Sequence, residues 1–517
     1  MDTALQRPSA YRHPAGRIVR IETPISVVYL AGRFAYKIKK PVKLDFVDFS
    51  HLAARQYYCE EELRLNRRLA RRLYLGVIPI VAIGRRYQVG ARGHAVDYAV
   101  RMKRFDEHEV FASLLANDKL SHLEMDRLAT RLLEFHRHAA KKLPQRTLGS
   151  AALVRSQIEA VLASLERESS AQDASSVLAA VRAWCRKTLD QLAEHFAVRN
   201  AGGFVRECHG DLHLSNILRQ GKQAVMFDCI EFSTALRWID VASDLSFLLM
   251  DLEAHGRSDL ATRLLNRSLE LGGDYAGLAA MRFYIVYRAL VRGLVATLAA
   301  KRSSRLSGHA DSAPYLALAA RKVLAPHPAL LLLHGYSGSG KTVASQALAP
   351  LIGAICLSSD VERKRNQVFR PPDSSALPAA AYTPTEIDAN YDKLLELVSL
   401  VLQAAYSAIV DASFLKQAHR TRFIELAQSR SIPCFILDLH ANPAHLAKRI
   451  RLRASDARQL SDADENVLAM QYANADALSG EECMRTLTFD TDVAPESMQQ
   501  AAYWQTLLDR LPAPDRA

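Results

Sequence analysis

Cysteine pairs, long apolar runs and an apolar amino terminus are missing from this sequence. Its seven cysteines lie far apart without a C-x-x-C pair, which argues against both a disulfide framework and a zinc site. Residues 1–8 lack the apolar core of a signal peptide, and no apolar run approaches the length needed to cross a bilayer. We therefore expect a cytoplasmic location, reduced thiols and no membrane partner.

Acidic residues are outnumbered by basic ones, but the sequence has no basic cluster interleaved with aromatic residues. The 67 Lys and Arg residues against 55 Asp and Glu residues give a formal net charge of +12. Because the basic residues are scattered, the excess positive charge is better explained by basic residues on helix faces and by cationic pockets for phosphates than by a nucleic-acid surface. At 517 residues the chain is too long for one hydrophobic core, so several domains are expected.

A glycine-rich run between a buried strand and a helix is the most informative motif. The apolar residues 330–333 predict the strand, and residues 343–348 have helical character. Between them lies a complete G-x-x-x-x-G-K-[ST] motif, formed by Gly335, Tyr336, Ser337, Gly338, Ser339, Gly340, Lys341 and Thr342. Its backbone N–H groups are expected to bind phosphate oxygens, with Lys341 on the β- and γ-phosphates and Thr342 on Mg²⁺. The motif predicts binding of a nucleoside triphosphate.

The carboxy-terminal half also supplies candidates for a magnesium ligand and an acceptor site. Asp411 ends the apolar run 408–410, as a Walker-B aspartate does, and is predicted to reach Mg²⁺ directly or through water. Lys416 and Arg420, which follow it, are alternative candidates to line the acceptor site. Residues 329–495 alternate strand and helix patterns, which predicts a parallel α/β sheet.

Two further patterns in this half resemble elements of P-loop phosphotransferases. Asp360 and Arg363 match the D-x-x-R element of enzymes such as polynucleotide kinase. That resemblance implies that Asp360 takes the proton of the acceptor hydroxyl and that Arg363 holds the acceptor's anionic part. The alternative is a helix N-cap followed by surface charges. Arg449 and Arg453 share one helix face and resemble the lid arginines of small P-loop kinases, with solvated helix arginines as the alternative.

A second pattern typical of phosphoryl transfer comes earlier in the chain. The kinase catalytic loop H-R-D-L-x-x-x-N carries an Asp base and a metal-binding Asn. Here Gly210 replaces the Arg, and Asp211 and Asn216 keep the spacing (216 − 211 = 5). Asp228 follows, and the segment resembles the aminoglycoside-phosphotransferase branch of the protein-kinase-like fold. The resemblance implies Asp211 as the base and Asn216 and Asp228 as Mg²⁺ ligands. Asp244 matches the helix aspartate that supports this loop in the family, or else caps a helix.

The same resemblance implies a small lobe in which a strand lysine pairs with the nucleotide phosphates and with a helix glutamate. Lys37 aligns with the lysine of V-A-I-K, and Lys39, on the same strand face, is the alternative. Glu62 is favoured over Glu61 as its partner because Glu62 shares a helix face with apolar residues. Met102 lies where the backbone is expected to meet the adenine edge. No G-x-G-x-x-G motif precedes Lys37, so the phosphate-covering loop is unusual.

Taken together, the two halves resemble the bacterial bifunctional aminoglycoside phosphotransferase/ATP-binding proteins over about residues 17–490. The resemblance implies an α+β protein-kinase-like domain over residues 1–325, with a small lobe over about residues 1–105 and a large lobe over about residues 106–325. An α/β P-loop NTPase domain with a parallel sheet is expected over residues 326–517. It is similar to the zeta-toxin, polynucleotide-kinase and gluconate-kinase type.

This organisation implies a tandem phosphotransferase that uses Mg²⁺ with ATP, or with GTP, to phosphorylate hydroxyl groups of small molecules. A nucleotide-sensing regulatory ATPase or adaptor is one alternative, and a kinase of nucleic-acid ends is another. The fold does not fix the acceptor. Because Arg237, Arg288 and Arg292 offset the acidic residues around them, we expect an acceptor other than an aminoglycoside. The sequence predicts neither the acceptor nor the oligomeric state.

Overall fold

The computed structural model of the protein describes residues 1–44, 47–84, 86–141, 145, 147–168, 172–302, 311–367, 383–454 and 465–511. The chain forms two compact units, and each unit is built from two stretches. The first contains Met1–Ala160 and Leu189–Asp251, and the second contains Val161–Thr188 and Leu252–Ala517. The domain boundary expected between residues 325 and 326 stays a prediction, and the second unit contains residues on both sides of it.

An antiparallel sheet and one long helix dominate the first part of the chain. Its elements are α1 (Asp2–Leu5), β1 (Val19–Glu22), β2 (Ser26–Ala31), β3 (Phe34–Lys39), β4 (Lys43–Leu44), β5 (Val47–Asp48), α2 (Leu52–Ala70), β6 (Tyr74–Ile83), β7 (Arg86–Val89) and β8 (Ala95–Lys103). Six strands form a sheet in the order β1-β2-β3-β8-β6-β7, and every pair is antiparallel. Strands β4 and β5 form a separate antiparallel pair.

The two faces of strand β3 have different neighbours. Tyr36 belongs to the apolar core on one side of the sheet. Ala35 packs on the other side, in a core that includes Cys59 of α2. Because side chains alternate along a strand, Lys37 and Lys39 lie on the Ala35 side, facing α2.

Helices and two small strand pairs make up the next part of the chain. The elements are α3 (Phe111–Ala116), α4 (His122–His138), α5 (Ala151–Glu168), α6 (Gln172–Gln191), α7 (Ala193–Ala201), β9 (Val205–Glu207), β10 (Ile217–Gln220), β11 (Gln223–Met226), α8 (Thr234–Arg237), β12 (Trp238–Asp240) and α9 (Val241–Ala254). Strand β9 pairs with β12, and β10 forms a hairpin with β11. The residues before and after this hairpin are neighbours, since the N–H of Phe227 donates to the carbonyl oxygen of Asn216 at 2.9 Å.

The remaining elements belong to the second unit. They are α10 (Ser258–Gly272), α11 (Leu278–Arg302), α12 (Ala313–Lys322), β13 (Leu330–His334), α13 (Lys341–Ile352), β14 (Ile355–Ser358), α14 (Ser359–Gln367), α15 (Pro384–Gln403), β15 (Ala408–Asp411), α16 (Gln417–Ser429), β16 (Cys434–His440), α17 (Pro443–Ala454), α18 (Glu465–Asn474), α19 (Gly480–Met484), β17 (Thr486–Asp490), α20 (Pro495–Met498) and α21 (Gln505–Leu508). Strand and helix alternate from β13 onward, as the sequence predicts.

A five-stranded sheet forms the centre of the second unit. Its order is β14-β15-β13-β16-β17, and every pair is parallel, which confirms the predicted parallel α/β sheet. The four leucines of β13 are fully buried, as expected for a central strand covered on both faces. The carboxyl ends of the strands meet at one edge, where His334, Ser358 and Asp411 end β13, β14 and β15.

Strand β14 lies at the edge of this sheet and is covered by helix α10. The side-chain amide of Asn266 in α10 donates to the carbonyl oxygen of Ala354 at 2.9 Å. Its Oδ1 accepts from the N–H of Cys356 at 2.6 Å. Asn266 therefore satisfies backbone groups at the start of the edge strand that would otherwise face outward.

A long apolar helix in the second unit differs from the expectation for the sequence. The segment Tyr275–Lys301 is long and apolar enough to cross a membrane by length and composition alone. However, 56% of its most apolar stretch is buried inside the protein. Phe283, Ile285 and Leu290 are among its buried residues. A helix buried in a protein core can be equally long and apolar, so this helix is weak support for a membrane partner.

A buried ion pair anchors helix α16. Nε of Arg420 donates to Oε1 of Glu482 at 2.7 Å. The other guanidinium nitrogens donate to the carbonyl oxygens of Phe414 at 2.9 Å and Ala477 at 3.0 Å. Because Arg420 is fully buried and directed at protein partners, it does not line an acceptor site, and that interpretation of the sequence is wrong.

We predict that Arg420→Ala lowers the free energy of unfolding by about 3–5 kcal/mol, because Glu482 loses its counterion in a buried place. The paired replacement Arg420→Met/Glu482→Leu is expected to cost much less, since no buried charge remains. Urea unfolding followed by circular dichroism measures both. Lys416→Ala is the control, because it removes an exposed ion pair with Asp476, and it is expected to change little. Equal losses for the single and the paired replacement would contradict this explanation.

Candidate active sites

Two lysines of strand β3 meet three carboxylates in the first unit. Nζ of Lys37 lies 3.0 Å from Oε1 of Glu62 and also contacts Oδ1 of Asp228. Nζ of Lys39 contacts Oε2 of Glu62 and Oε1 of Glu231. We refer to these five side chains as the lysine cluster. It brings together the predicted strand lysine, the predicted helix glutamate and a predicted metal ligand.

The contacts of the lysine cluster reduce the choice among Lys37, Lys39, Glu61 and Glu62 for the lysine–glutamate pair expected in the small lobe. Glu61 forms an ion pair with Arg64 at 2.8 Å, so Glu62 is the glutamate that meets the lysines. Both lysines contact Glu62, and Lys37 is the one that also contacts Asp228. Burial raises the pKa of Glu62, but the two lysines outweigh burial and lower this pKa to about 2. Glu62 is therefore ionised at neutral pH.

Met102, which the sequence places at the adenine edge, lies in the middle of paired strands. In β8 it is opposite Ala35 of β3 and opposite Tyr74 of β6. Two residues later, the N–H of Arg104 still donates to the carbonyl oxygen of Arg33 at 2.9 Å. The backbone of Met102 thus lies between two strands and not at an open edge. Its contact with adenine stays a prediction that this position does not favour.

The loop that carries Asp211 is held by a buried carboxylate of helix α9. Oδ1 of Asp244 accepts from the N–H of Gly210 at 2.9 Å, and Oδ2 accepts from the N–H of His209 at 3.2 Å. Nε2 of His136 lies 2.9 Å from the same Oδ2. Burial raises the pKa of Asp244, but the hydrogen bonds from His136 and Gly210 help to bring it below its ordinary value. Asp244 thus lies where the resemblance implies a supporting aspartate.

Position 210 requires glycine for two reasons. Its φ is +87°, in the region that favours glycine, and a Cβ there would lie 2.8 Å from the carbonyl oxygen of Leu236. The arginine of the protein-kinase motif would therefore not fit. This close approach explains why Gly210 stands between His209 and Asp211.

The residues predicted to bind the metal and to act as base gather around the β10–β11 hairpin. Nδ2 of Asn216 donates to the carbonyl oxygen of Asp211 at 2.9 Å, which leaves its Oδ1 as an acceptor. Asp228 has a φ of +66°, and its N–H donates to the hydroxyl of Tyr74 at 3.2 Å. The carboxylate of Asp211 is partly exposed and lies 3.5 Å from Nε2 of His213. Carboxylate and amide oxygens are ligands that suit Mg²⁺, so the donor set fits the predicted ion.

Three side chains of this site were not predicted from the sequence. Glu231 belongs to the lysine cluster. Oδ1 of Asn66 accepts from a loop N–H at 2.9 Å. Asp251 accepts from the N–H of Leu214 at 2.9 Å. It follows Asp244 by two helical turns on the same face of α9, a spacing that could have identified it. No sequence pattern near Glu231 or Asn66 indicates these contacts, because their partners are distant in the sequence.

The glycine-rich loop in the second unit connects β13 to α13. Gly335, Gly338 and Gly340 have φ values of +144°, +86° and +84°, which other residues rarely adopt. At Gly338 a Cβ would also lie 2.9 Å from the carbonyl oxygen of Leu446. The strand, loop and helix thus follow one another as the motif requires.

The predicted phosphate and magnesium residues of this loop converge at the carboxyl edge of the sheet. Nζ of Lys341 donates to the carbonyl oxygens of Gly335 at 3.0 Å and Tyr336 at 2.8 Å. Oγ1 of Thr342 donates to Oδ2 of Asp411 at 2.8 Å. A hydroxyl beside a carboxylate is a donor set that suits Mg²⁺.

The predicted acceptor elements lie at the same edge. Asp360 and Arg363 are in helix α14, and Nη1 of Arg363 lies 3.1 Å from Oδ1 of Asp360. Nη2 of Arg363 donates to Oγ of Ser359 at 3.2 Å. Ser358, just before this helix, is opposite Asp411 in the sheet. Asp360 is the second residue of the helix and not its N-cap.

The structure describes the side chain of one predicted lid arginine, Arg449, but not that of the other. Nη1 of Arg449 donates to the carbonyl oxygen of Gly338 at 3.3 Å, which brings this arginine to the glycine-rich loop. Its Nη2 donates to the carbonyl oxygen of Thr491 at 2.7 Å and lies 3.2 Å from Oδ1 of Asp492. The side chain of Arg453 lies outside the described residues.

Helix α18 contributes two contacts to the glycine-rich loop that the sequence did not predict. Oε1 of Gln471 accepts from the N–H of Ser337 at 2.8 Å. The ring of Tyr472 lies 4.4 Å from the ring of Tyr336. A protein side chain therefore occupies an N–H of the phosphate-binding loop. The sequence of the phosphate motif does not indicate which residues of other segments contact the loop.

Two family models match the chain, one in each half. Residues 46–284 match the phosphotransferase enzyme family, and residues 330–478 match an AAA domain. An uncharacterized protein of Mycobacterium tuberculosis (strain ATCC 25618 / H37Rv) is 29% identical over 395 residues, which are 76% of this chain and 78% of that protein. An uncharacterized protein of Mycobacterium bovis gives the same values.

Solved structures of kinases are similar to parts of the chain. A choline/ethanolamine kinase family protein from Mesorhizobium loti is 14% identical with a TM-score of 0.37, over 62% of this chain and 92% of that chain. A sugar kinase from Janibacter sp. HTCC2649 is 21% identical with a TM-score of 0.28, over 37% of this chain and 99% of that chain. The family matches confirm the predicted order of a kinase-like phosphotransferase domain and a P-loop domain.

We predict that Asp244→Asn removes an acid-dependent part of the stability. Because the pKa of Asp244 is lowered on folding, its stabilisation is present above the ordinary value of 3.8 and is lost as the pH falls below it. The loss of charged hydrogen bonds to the loop is expected to cost about 1.5–3 kcal/mol at neutral pH. Urea unfolding between acid and neutral pH measures this difference. The exposed Asp118, replaced by Asn, is the control. If Asp244→Asn lowered the free energy of unfolding by the same amount at every pH, the prediction that Asp244 is ionised in the folded protein would be refuted.

Proposed function

We propose that this chain, which matches the phosphotransferase enzyme family over residues 46–284 and an AAA domain over residues 330–478, is a tandem ATP-dependent kinase. Each half binds ATP with Mg²⁺ and transfers the γ-phosphoryl group to a hydroxyl of a small molecule. The observation that supports this most is that each unit gathers its own set of phosphate and metal side chains. In the first unit it is the lysine cluster with Asp211 and Asn216, and in the second it is Lys341 with its neighbours.

In the first site, Asp211 acts as the base. It takes the proton of the acceptor hydroxyl while the hydroxyl oxygen bonds to the γ-phosphorus and the bond to the β,γ-bridging oxygen breaks, so that ADP leaves. Lys37 binds the nucleotide phosphates, and Asn216 and Asp228 hold the metal. When bound, Mg²⁺ neutralises charge that develops on the phosphate oxygens.

In the second site, the loop from Gly335 to Thr342 holds the triphosphate with its backbone N–H groups, as phosphate loops do. Asp411 and Thr342 hold the metal. Asp360 takes the proton of the acceptor hydroxyl, and Arg363 binds an anionic part of the acceptor. The contact between these two side chains at 3.1 Å supports this pairing, because it places them side by side, where one acceptor molecule can meet both.

A nucleotide-sensing role for the second site is the second candidate function. The observation that favours it is the hydrogen bond from the N–H of Ser337 to Gln471, because a triphosphate competes for that N–H. In this case ATP binding moves Gln471, and phosphoryl transfer occurs at the first site alone. Acceptor-dependent release of ADP at the second site would exclude this alternative.

We predict that Asp211→Asn and Lys341→Ala each remove one of two activities. Loss of a general base is expected to slow acceptor-dependent ADP release about 10²–10⁴-fold at the first site. Lys341→Ala is expected to slow release at the second site by a similar factor, because the charge on the transferring phosphoryl group loses a positive partner. A panel of metabolites and antibiotics containing hydroxyl groups identifies acceptors for each variant.

The control for these variants is Lys393→Ala, which removes an exposed ion pair with Glu396 in the second unit, and it is expected to retain both activities. An acceptor whose phosphorylation stops in one variant and continues in the other assigns that activity to one site. If neither variant slows ADP release with any acceptor, the tandem kinase is refuted.

A further inference from the structure

Beyond one lysine–glutamate pair and the predicted metal ligand Asp228, the lysine cluster contains one further cation, Lys39, and one further carboxylate, Glu231. Lys39 and Glu62 have fully buried side chains, and that of Glu231 is 5% exposed. In contrast, the side chain of Lys37 is 13% exposed and that of Asp228 is 40% exposed. Exposure therefore increases from Lys39 through Lys37 to Asp228, which is the residue proposed to bind the metal.

The charge of Glu62 sets a requirement on the two lysines. A fully buried carboxylate that loses its counterion costs several kcal/mol, on the order of 3–5 kcal/mol. If Lys37 were the one counterion of Glu62, moving it toward nucleotide phosphates would carry this cost. Lys39 contacts the other carboxylate oxygen of Glu62, so the charge stays neutralised when Lys37 moves.

We propose that Lys39 and Glu231 are positioning residues: Lys39 forms permanent ion pairs with Glu62 and Glu231 and thereby releases Lys37 for the nucleotide. The inference rests on the proposed nucleotide site of the first unit. When ATP with Mg²⁺ binds, Lys37 exchanges its contacts with Glu62 and Asp228 for phosphate oxygens, and Asp228 turns to the metal. Lys39 keeps Glu62 and Glu231 in place throughout this exchange.

Other hydrogen bonds hold the same segments together without involving Lys37. Asn66, one turn after Glu62 in α2, donates to the carbonyl oxygen of Glu62 and accepts from the N–H of Cys229, both at 2.9 Å. Nη1 of Arg237 donates to the carbonyl oxygen of Glu231 at 3.0 Å. Helix α2 and the loop after Asp228 are therefore joined by hydrogen bonds that do not depend on Lys37.

The test measures ATP·Mg²⁺ binding to the first site by calorimetry on the full chain with Lys341→Ala, so that the P-loop site is silent. Adding Lys39→Met and Glu231→Gln leaves Lys37 as the counterion of Glu62. The dissociation constant is then expected to rise about tenfold or more, because binding must break a buried pair. Adding Glu62→Gln as well removes that need, and the constant is expected to return to within about threefold of the Lys341→Ala protein.

A matched control separates positioning from stability. Arg55 and Asp97 form another buried ion pair in the same lobe, at 2.9 Å, outside the lysine cluster. Arg55→Met/Asp97→Asn is expected to lower the melting temperature without changing the dissociation constant. If Lys39 only stabilises the fold, Lys39→Met/Glu231→Gln is expected to behave like this control, with a lower melting temperature and an unchanged dissociation constant. Adding Glu62→Gln would then leave the dissociation constant unchanged as well. That result would overturn the proposal.

Two further outcomes are distinguishable. If the Lys341→Ala protein itself takes up no ATP·Mg²⁺, the proposed function of the first site fails, whatever the Lys39 variants do. If the Lys39→Met proteins do not fold, Lys37→Met decides the question by its melting temperature. The proposal requires Lys37→Met to fold and to remain near the unaltered protein in stability, because Lys39 still neutralises Glu62. Unfolding of Lys37→Met would refute it.

Discussion

Burial of ionised side chains is the constraint on which both units depend. A buried charge is stable only with a counterion or with several hydrogen-bond donors. Glu62 has two lysines, and Asp244 has two backbone N–H groups and a histidine. Arg420 has Glu482. In each case, neutralising the charge fixes segments that are far apart in the sequence. The first two cases hold the residues that we propose for phosphoryl transfer.

The placement of the residues that we propose for phosphate and metal binding could be predicted, because they belong to motifs with fixed local spacing. The glycine-rich loop needs positive φ at several positions between a strand and a helix, and glycine provides it. Asp211 and Asn216 lie in one turn before a short hairpin, and Asp228 follows that hairpin, so chain connectivity alone brings them together. The parallel sheet likewise follows from the alternation of strand and helix patterns.

Contacts between distant segments could not be predicted in this way. An arginine after a Walker-B strand fits an acceptor site as well as a buried ion pair, and the partner of Arg420 lies 62 residues away. Glu231 lies 192 residues from Lys39, and no local pattern links the two. Met102 shows the same difficulty, because the sequence indicates a strand there but not that both of its edges are paired.

The side chain of Asn266 has a consequence for studies of the P-loop half in isolation. It occupies backbone groups of β14, yet it belongs to a helix that precedes the domain boundary expected between residues 325 and 326. A fragment that begins at this boundary loses the helix and exposes the edge of the sheet. Bare edges recruit strands from other molecules. Self-association of such a fragment would therefore report the missing helix and not the natural assembly of the intact chain.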